Sequence, residues 1–336
     1  MMLKPLLALV AALYCGVAQA QGVADFYRGK TVDLIIGFPT GGSNDTYART
    51  LARHMGKHIP GNPQVVARNM PGAGSFQAAA HVFSVAPQDG TVISIGAPTL
   101  SLEQKMGVQG VRFDTAQFNW IGRINPLINM ILIRSEVPVT KIEDALTREV
   151  VLAGTGAGST VSIYPNVMNK LLGYKFKLVM GYKGTNEAML AVERGEVEGH
   201  NTAWEALKVA HPSWVPDKKI RIIVQFGLQR HPDLADVPTV IELARNDDER
   251  KILSALVTAT EVGTSFFTTP KVPADRVEAL RRAFDATMAD REFQDELRQM
   301  RLGLSPMKGE DLQKLSHNLG ALPDDLTQRL KAVYGD

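Results

Sequence analysis

Cysteine is almost absent from this chain of 336 residues: the single one, Cys15, lies near the N-terminus inside an apolar run. Long apolar runs are equally scarce. The one present, Leu6 to Val17, is preceded by Lys4 and followed by Ala18-Gln19-Ala20, a small-x-small cleavage pattern. A basic start, an apolar centre and that pattern together predict an export signal over residues 1–20, cleaved after Ala20. The run is shorter than the roughly 20 residues a membrane-spanning helix needs, and a buried N-terminal helix is the competing reading. Tyr14 before Cys15 is bulky where a lipoprotein processing site wants a small residue. The mature chain is therefore expected to carry no thiol, which excludes cysteine catalysis, thiolate metal sites and disulfides, and to enter an oxidising compartment as a soluble product.

Charge of one sign is also missing. Lys and Arg number 37 against 35 Asp and Glu, and the longest basic clusters, Lys218-Lys219 with Arg221 and Arg281-Arg282, are short. No nucleic-acid partner is expected. Nucleotide signatures are lacking too: the loop from Gly37 to Asp45 has no Gly-Lys-Ser/Thr, and that from Gly154 to Ser159 lacks the Gly-x-Gly-x-x-Gly spacing. Ser43, Ser75 and Ser159 stand in no Gly-x-Ser-x-Gly elbow, so serine hydrolysis is unsupported. His54 and His58, four apart, share a helix face without an obvious third metal ligand, and no cofactor or metal is expected. His200 reads either as a cleft residue or as a core histidine.

What is present is a repeated design. An apolar run, Val32 to Phe38, empties into Pro39-Thr40-Gly41-Gly42-Ser43-Asn44-Asp45, and Tyr47, Leu51 and Met55 follow at helical spacing. A second copy runs from Val150-Val151-Leu152-Ala153 into Gly154-Thr155-Gly156-Ala157-Gly158-Ser159-Thr160. Strand, glycine loop, helix aims free backbone N–H groups and a positive dipole end at one spot, which suits an anion. Two such loops suggest two lobes sharing one ligand.

Around them the chain alternates. Strands are expected near 64–68, 91–96, 120–124, 130–133, 176–179, 197–200 and 221–226, with helices through about 84, over 139–146, 159–172 and 186–194, and C-terminally over 273–288, 291–300 and 309–319. This order predicts an α/β protein with mainly parallel sheets covered by helices on both faces. Lobe one is expected over 23–133 plus 228–336, with the C-terminal helices packed onto it, and lobe two over 134–227.

The loops and their order resemble the periplasmic solute-binding proteins of tripartite tricarboxylate transporters, the Bordetella uptake gene (TctC-like) family. The landmarks are Phe38 to Asp45, Asn69-Met70-Pro71-Gly72-Ala73-Gly74, Pro87 to Thr91, Gly156 to Thr160, Gly181-Tyr182-Lys183-Gly184, Asp236 to Val240 and Thr269 to Pro273, in the family's order over essentially the whole mature chain. The resemblance implies a two-lobed periplasmic binding protein fold (type II-like) with a ligand cleft between the lobes. It implies a non-enzymatic receptor for a small carboxylate, a di- or tricarboxylate or an aromatic acid, that delivers it to integral-membrane permease subunits.

Carried onto this sequence, the ligand-binding set is Phe38, Pro39, Thr40, Gly41, Gly42, Ser43 and Asp45, with Ala97 and Pro98 as cleft wall. Thr155, Gly156, Ala157, Gly158, Ser159 and Thr160 form the facing loop, and Tyr182 with Thr202 meets the far end of the ligand. Asp45 cannot itself favour an anion, and is expected to cap its helix or hold the loop through N–H bonds. Gly154-Thr155 replaces the family's common Ser-Pro pair, Ser162 stands where a histidine often falls, and Thr202 where many relatives carry an acid. The missing acid argues against an ammonium-bearing ligand such as an amino acid. A monomer is the simpler expectation for a protein that opens, closes and docks. The alternatives are a periplasmic enzyme on the same scaffold and a ligand-sensing partner of a membrane receptor.

Overall fold

The computed structural model describes residues 22–156 and 159–334. The signal over residues 1–20 and the loop positions Ala157 and Gly158 lie outside the described residues.

Residues 22–27 form helix α1, whose Val23 and Tyr27 enter the core. Strand β1 (Thr31–Ile36) runs parallel to β2 (Gln64–Asn69) on one side and β3 (Val92–Ile95) on the other, with Leu34 opposite Ala67 and Ile93. Being central and covered on both faces, β1 is continuously buried over its C-terminal half, the apolar run read in the sequence. Helices α2 (Ser43–Met55) and α3 (Phe76–Ser84) make the crossovers, and α2 buries Tyr47, Leu51 and Met55, the face its spacing predicts. After α4 (Leu100–Lys105) and β4 (Asn119–Arg123) the chain leaves this sheet.

The second sheet starts at β5 (Asn129–Arg134). It continues through α5 (Asp144–Thr147), β6 (Val150–Ala153), α6 (Thr160–Val167), β7 (Phe176–Val179), α7 (Thr185–Arg194), β8 (Gly199–Ala203), α8 (Trp204–Ala210) and β9 (Ile220–Phe226). A return segment carrying α9 (Asp247–Thr258) leads back to β10 (Ser265–Thr268) between β3 and β4. Then follow α10 (Ala274–Ala289), α11 (Arg291–Gln299), β11 (Met307–Lys308), α12 (Gly309–Gly320) and α13 (Asp324–Tyr334). The sheet orders are β11-β4-β10-β3-β1-β2 and β7-β6-β8-β5-β9.

Each sheet has a parallel heart of three strands, as the alternation predicts. Both are mixed rather than mainly parallel, because β10, β4 and β11 in the first and β5 and β9 in the second run antiparallel to their neighbours. Strand β5 corrects the lobe boundary at 133: it pairs with β8 and β9, so the crossing lies near residues 124–128. A strand buried on both faces, as Met130 to Ile133 are, reads the same in either sheet. Strand β8 begins at 199, later than the predicted 197; Glu198 before it already pairs through its backbone, its N–H donating to Val151 O at 2.8 Å and its carbonyl accepting the Arg134 N–H at 2.9 Å. The predicted helix over 139–146 is helical only from 144, since Asp144 ties the Thr140 and Lys141 N–H groups into a turn.

Helices α10, α11 and α12 pack on the first sheet and α2, as expected for the C-terminal part. Helix α13 departs from that expectation. It packs on α6 and α9, and Tyr334 Oη donates to Glu103 Oε1 of α4 at 3.0 Å, so it straddles both sheets. The largest core is continuous across them, joining Trp120 and Phe267 to Leu152, Tyr164 and Phe226 through Leu253, Leu312 and Leu330.

Candidate functional site

Three helices of at least eight residues begin at one cavity. Helix α2 starts after Gly42, α6 after Ser159 and α7 after Gly184, and none of the three has a side-chain cap on its first N–H groups. The first N–H groups of a helix have no intrahelical partner, save that the Ser162 N–H of α6 reaches Ser159 O at 2.9 Å, and each dipole turns its positive end toward the cavity. The cavity holds about 850 Å³ and sits at the C-terminal ends of the parallel strands of both sheets.

The loop before α2 is held from behind. Asp45 Oδ2 accepts the Gly41 N–H at 2.9 Å, Asn69 Nδ2 donates to Asp45 Oδ1 at 2.8 Å, and Arg49 Nε donates to the same oxygen at 3.0 Å. Burial opposes this charge, yet the hydrogen bonds from Asn69, Gly41 and Arg49 outweigh it and keep the carboxyl below its ordinary range. Gly41 itself is left-handed at φ +86°, where a side chain would be strained. Gly37 serves differently: a Cβ there would lie 2.8 Å from Ser75 Cβ, and Ser75 Oγ donates to Gly37 O at 2.9 Å. That contact locks the Pro71-to-Ser75 loop against β1.

On the facing lobe, Thr155 Oγ1 and Ser159 Oγ lie 2.6 Å apart and close the loop before α6. The lobes meet at one rim, where Asn186 Nδ2 donates to Gly41 O at 3.4 Å and a Cβ on Gly184 would stand 3.6 Å from Pro39 Cγ. Among the described lining residues the titratable side chains are Lys183 and Glu187, and Glu187 Oε2 accepts the Lys183 N–H at 2.6 Å.

Of the residues named from the sequence, the cavity is lined by Phe38, Pro39, Thr40, Gly42, Ser43, Ala97, Pro98, Thr155, Gly156, Ser159, Thr160 and Thr202. Gly41 and Asp45 are not part of the lining; they brace the loop from behind. Tyr182 is corrected. Its ring packs against the core cluster of Ala153, Met189 and Val192, and Lys183 and Gly184 line the cavity instead. The sequence reading missed Pro71 to Ser75, Leu127, Asn129 and Thr185 to Glu187 as lining. The loops after β2 and β7 were visible as glycine-rich turns. The β7 loop was placed at the ligand through the wrong residue, and the place of the β2 loop follows from which strands are neighbours, which no local pattern encodes.

His200 is a core residue. Its Nδ1 donates to Ala153 O at 3.0 Å, and burial lowers its pKa to about 4, so the ring is neutral. His54 and His58 do meet carboxylates, Glu296 at 2.6 Å and Asp290 at 3.0 Å. There the Lys57 ammonium stands 2.7 Å from Asp290 and 2.6 Å from Glu292, so the cluster is closed as an ion-pair network joining α2 to α11. Behind the cavity, burial pushes Glu103 up to about 8, and its neutral carboxyl faces Tyr334.

Two mixed sheets joined by two crossings, with a cavity at facing strand ends and helix N-termini turned into it, define a two-lobed periplasmic binding protein. Solved structures share that fold. The chain aligns with the periplasmic binding protein BugD at TM-score 0.72 and 21% identity, covering 92% of this chain and 99% of the other. Rpa4515 of R. palustris, solved with adipate, gives 0.69 and 22% over 91% and 98%, and MatC of Rhodopseudomonas palustris, with bound malate, 0.68 and 21% over 89% and 99%. In sequence, a UPF0065 protein in the gbd 5′ region of Cupriavidus necator is 27% identical over 254 residues, 70% of this chain and 71% of that protein. One from Agrobacterium vitis is 28% identical over 262 residues, 74% and 70%. The chain belongs to the TctC family, the tripartite tricarboxylate transporter family receptors, whose model matches residues 47–328. It is therefore a solute-binding protein of an extracytoplasmic family. Among the described residues no helix is long and apolar enough to cross a membrane.

Proposed function

We propose that this protein captures a carboxylate between its lobes and delivers it to the integral-membrane permease subunits of a tripartite tricarboxylate-type transporter. The observation that carries this is the opening of three uncapped helix N-termini, α2, α6 and α7, onto one cavity. An oxyanion gains roughly 0.3–1 kcal/mol from each dipole, and more when partly buried. The adipate and malate bound by the two R. palustris proteins are in keeping with it. The ligand-contacting set is Phe38, Pro39, Thr40, Gly42, Ser43, Ala97, Pro98, Thr155, Gly156, Ser159, Thr160 and Thr202, with Ala157 and Gly158 retained on the sequence reading alone. Lobe one comprises residues 22–124 with 228–334 and lobe two 129–227, the two moving about the crossings between them.

The reading is of binding without turnover. Ser43 and Ser159 are the cavity serines of the two loops, and no imidazole stands among the described lining residues to activate them. The protein acts as a monomer in the periplasm, released from its signal after Ala20. Thermal unfolding of the mature protein, stripped of carried-over ligand, tests this against mono-, di- and tricarboxylates and their primary amides. Ligand at 100 times its dissociation constant stabilises by about 2.7 kcal/mol, a shift of roughly 5 °C. Shifts with some acids and none with their amides are expected. Equal shifts with the amides, or none with any acid, would overturn the proposal.

A further inference from the structure

Helix α6 carries a proline inside it, and the consequence falls on the residues nearest the cavity. Pro165 is the sixth of the eight residues of Thr160–Val167 and is buried. An α-helix pairs each N–H with the carbonyl four residues back, and proline has no N–H. Val161 O therefore loses its helical donor, and the pyrrolidine ring crowds that carbonyl outward. The replacement comes from another element. Asn201 on β8, the strand between β6 and β5, donates through Nδ2 to Val161 O at 3.3 Å and to Thr160 O at 2.7 Å. Asn201 is fully buried, and its Oδ1 has no partner among the described residues, so the amide is turned to serve the two carbonyls.

The same two residues face the ligand space. At this helix start the N–H groups of Ser159, Ser162 and Ile163 already donate to Gly156 O and Ser159 O. Those of Thr160 and Val161 have no backbone acceptor among the described residues, and both residues line the cavity. Asn201, which is not a lining residue, thus grips from behind the carbonyls of the two residues whose amides are left for an anion. Lobe one follows a like plan, with Asn69 of β2 donating to Phe38 O and to Asp45 behind the loop of α2. Without the Asn201 amide, Val161 O is left unpaired and the first turn tilts to find another donor, which moves the dipole's positive end where its effect is concentrated.

We propose, resting on the carboxylate-receptor reading above, that Asn201 is a positioning residue for the anion. It supplies the hydrogen bond that Pro165 cannot, fixes the direction of the first turn of α6, and so aims the Thr160 and Val161 N–H groups at the carboxylate. Asn201 and Pro165 act as one unit: Asn201→Leu leaves Val161 O without a donor, and Pro165→Ala gives the helix its own N–H and makes Asn201 dispensable.

Isothermal titration of the ligand-stripped mature protein with malate, adipate, citrate and benzoate and with their primary amides tests this, beside amide hydrogen exchange over residues 160–167 without ligand. Asn201→Leu is expected to weaken the acids that bind the wild type about 10-fold while any amide binding changes much less, because the lost interaction is with charge. Exchange over 160–167 should speed up in the same variant. Pro165→Ala alone should leave acid binding within about 3-fold, and added to Asn201→Leu it should restore both affinity and exchange to near wild type. Asn201→Thr, which keeps one short donor, stands in if the leucine variant does not fold; its smaller loss should likewise be relieved by Pro165→Ala. Unchanged acid affinity in the Asn201 variants, equal losses for acid and amide, or a loss that Pro165→Ala does not relieve would overturn this inference and leave the carboxylate-receptor reading standing. A wild type that binds none of the acids, with exchange lost and restored as stated, would overturn that reading and leave the hold of Asn201 on α6 in place.

Discussion

Asp45 is an acid in the first turn of α2, beside the cavity proposed to take an anion, and its surroundings resolve the conflict. Its carboxylate faces Gly41, Asn69 and Arg49 and leaves the α2 dipole to the cavity. Asp45→Ala strands the Gly41 N–H and the Asn69 amide in a half-buried site, at a cost of about 1–3 kcal/mol. Chemical denaturation should show that loss, and titration should show weaker carboxylate binding because the loop is no longer held. This role was legible in the sequence by electrostatics alone. Tyr182 was not, because a large aromatic at a strand end fits a cleft and a core equally well.

Glu103 governs a second residue-scale outcome. Its folded value near 8 exceeds the ordinary 4.5, so between those pH values the native state keeps a proton that the unfolded chain has shed. Stability is therefore present at low pH and falls as pH rises from about 4.5 to 8, by up to roughly 5 kcal/mol at about 1.4 kcal/mol per pH unit. His200 acts in the opposite sense and lower down: with a folded value near 4 against 6.5, it adds stability as pH rises through that interval. Above pH 6.5 only Glu103 of this pair remains in play. Glu103→Gln should flatten the decline in melting temperature between pH 6.5 and 8; an unchanged slope would refute the assignment.

At the scale of elements, the alternation of strands and helices was readable because β1, β6 and α2 carry clean apolar periods. Helices α9 and α13 and strand β10 escaped the reading. Phe266-Phe267 in β10 is too short an apolar stretch to stand out, yet its antiparallel slot between β3 and β4 buries all four residues. Helix α13 is polar over about half its length and buries Thr327, Leu330 and Tyr334, with Leu326 and Val333 packed beside them, a stripe that acquires meaning once α6 and α9 supply the partner surface. Leu330 is fully buried there, so Leu330→Ala is expected to cost about 2–5 kcal/mol in urea unfolding, far more than an exposed helix would lose. A loss below about 0.5 kcal/mol would mean that α13 is not docked across the lobes.

For the whole molecule, the sequence disclosed the two-lobe plan and the two glycine loops that line the cavity but misplaced the boundary between lobes at β5. Hydropathy tells that a strand is buried, and long-range pairing decides in which sheet. The loop before α7 was placed at the ligand through Tyr182, but its helix start was not counted with the other two; it opens onto the cavity because β7 lies beside β6 and Asn186 reaches Gly41. The central claim is that one anion is held by backbone N–H groups from both lobes. The most direct measurement is amide hydrogen exchange of the mature protein, with and without the acid that gives the largest thermal shift. The account predicts concurrent protection over residues 41–45, 159–162 and 184–187, beyond that seen with the corresponding amide. Protection confined to one lobe, or located away from these three helix starts while the acid is saturating, would contradict it.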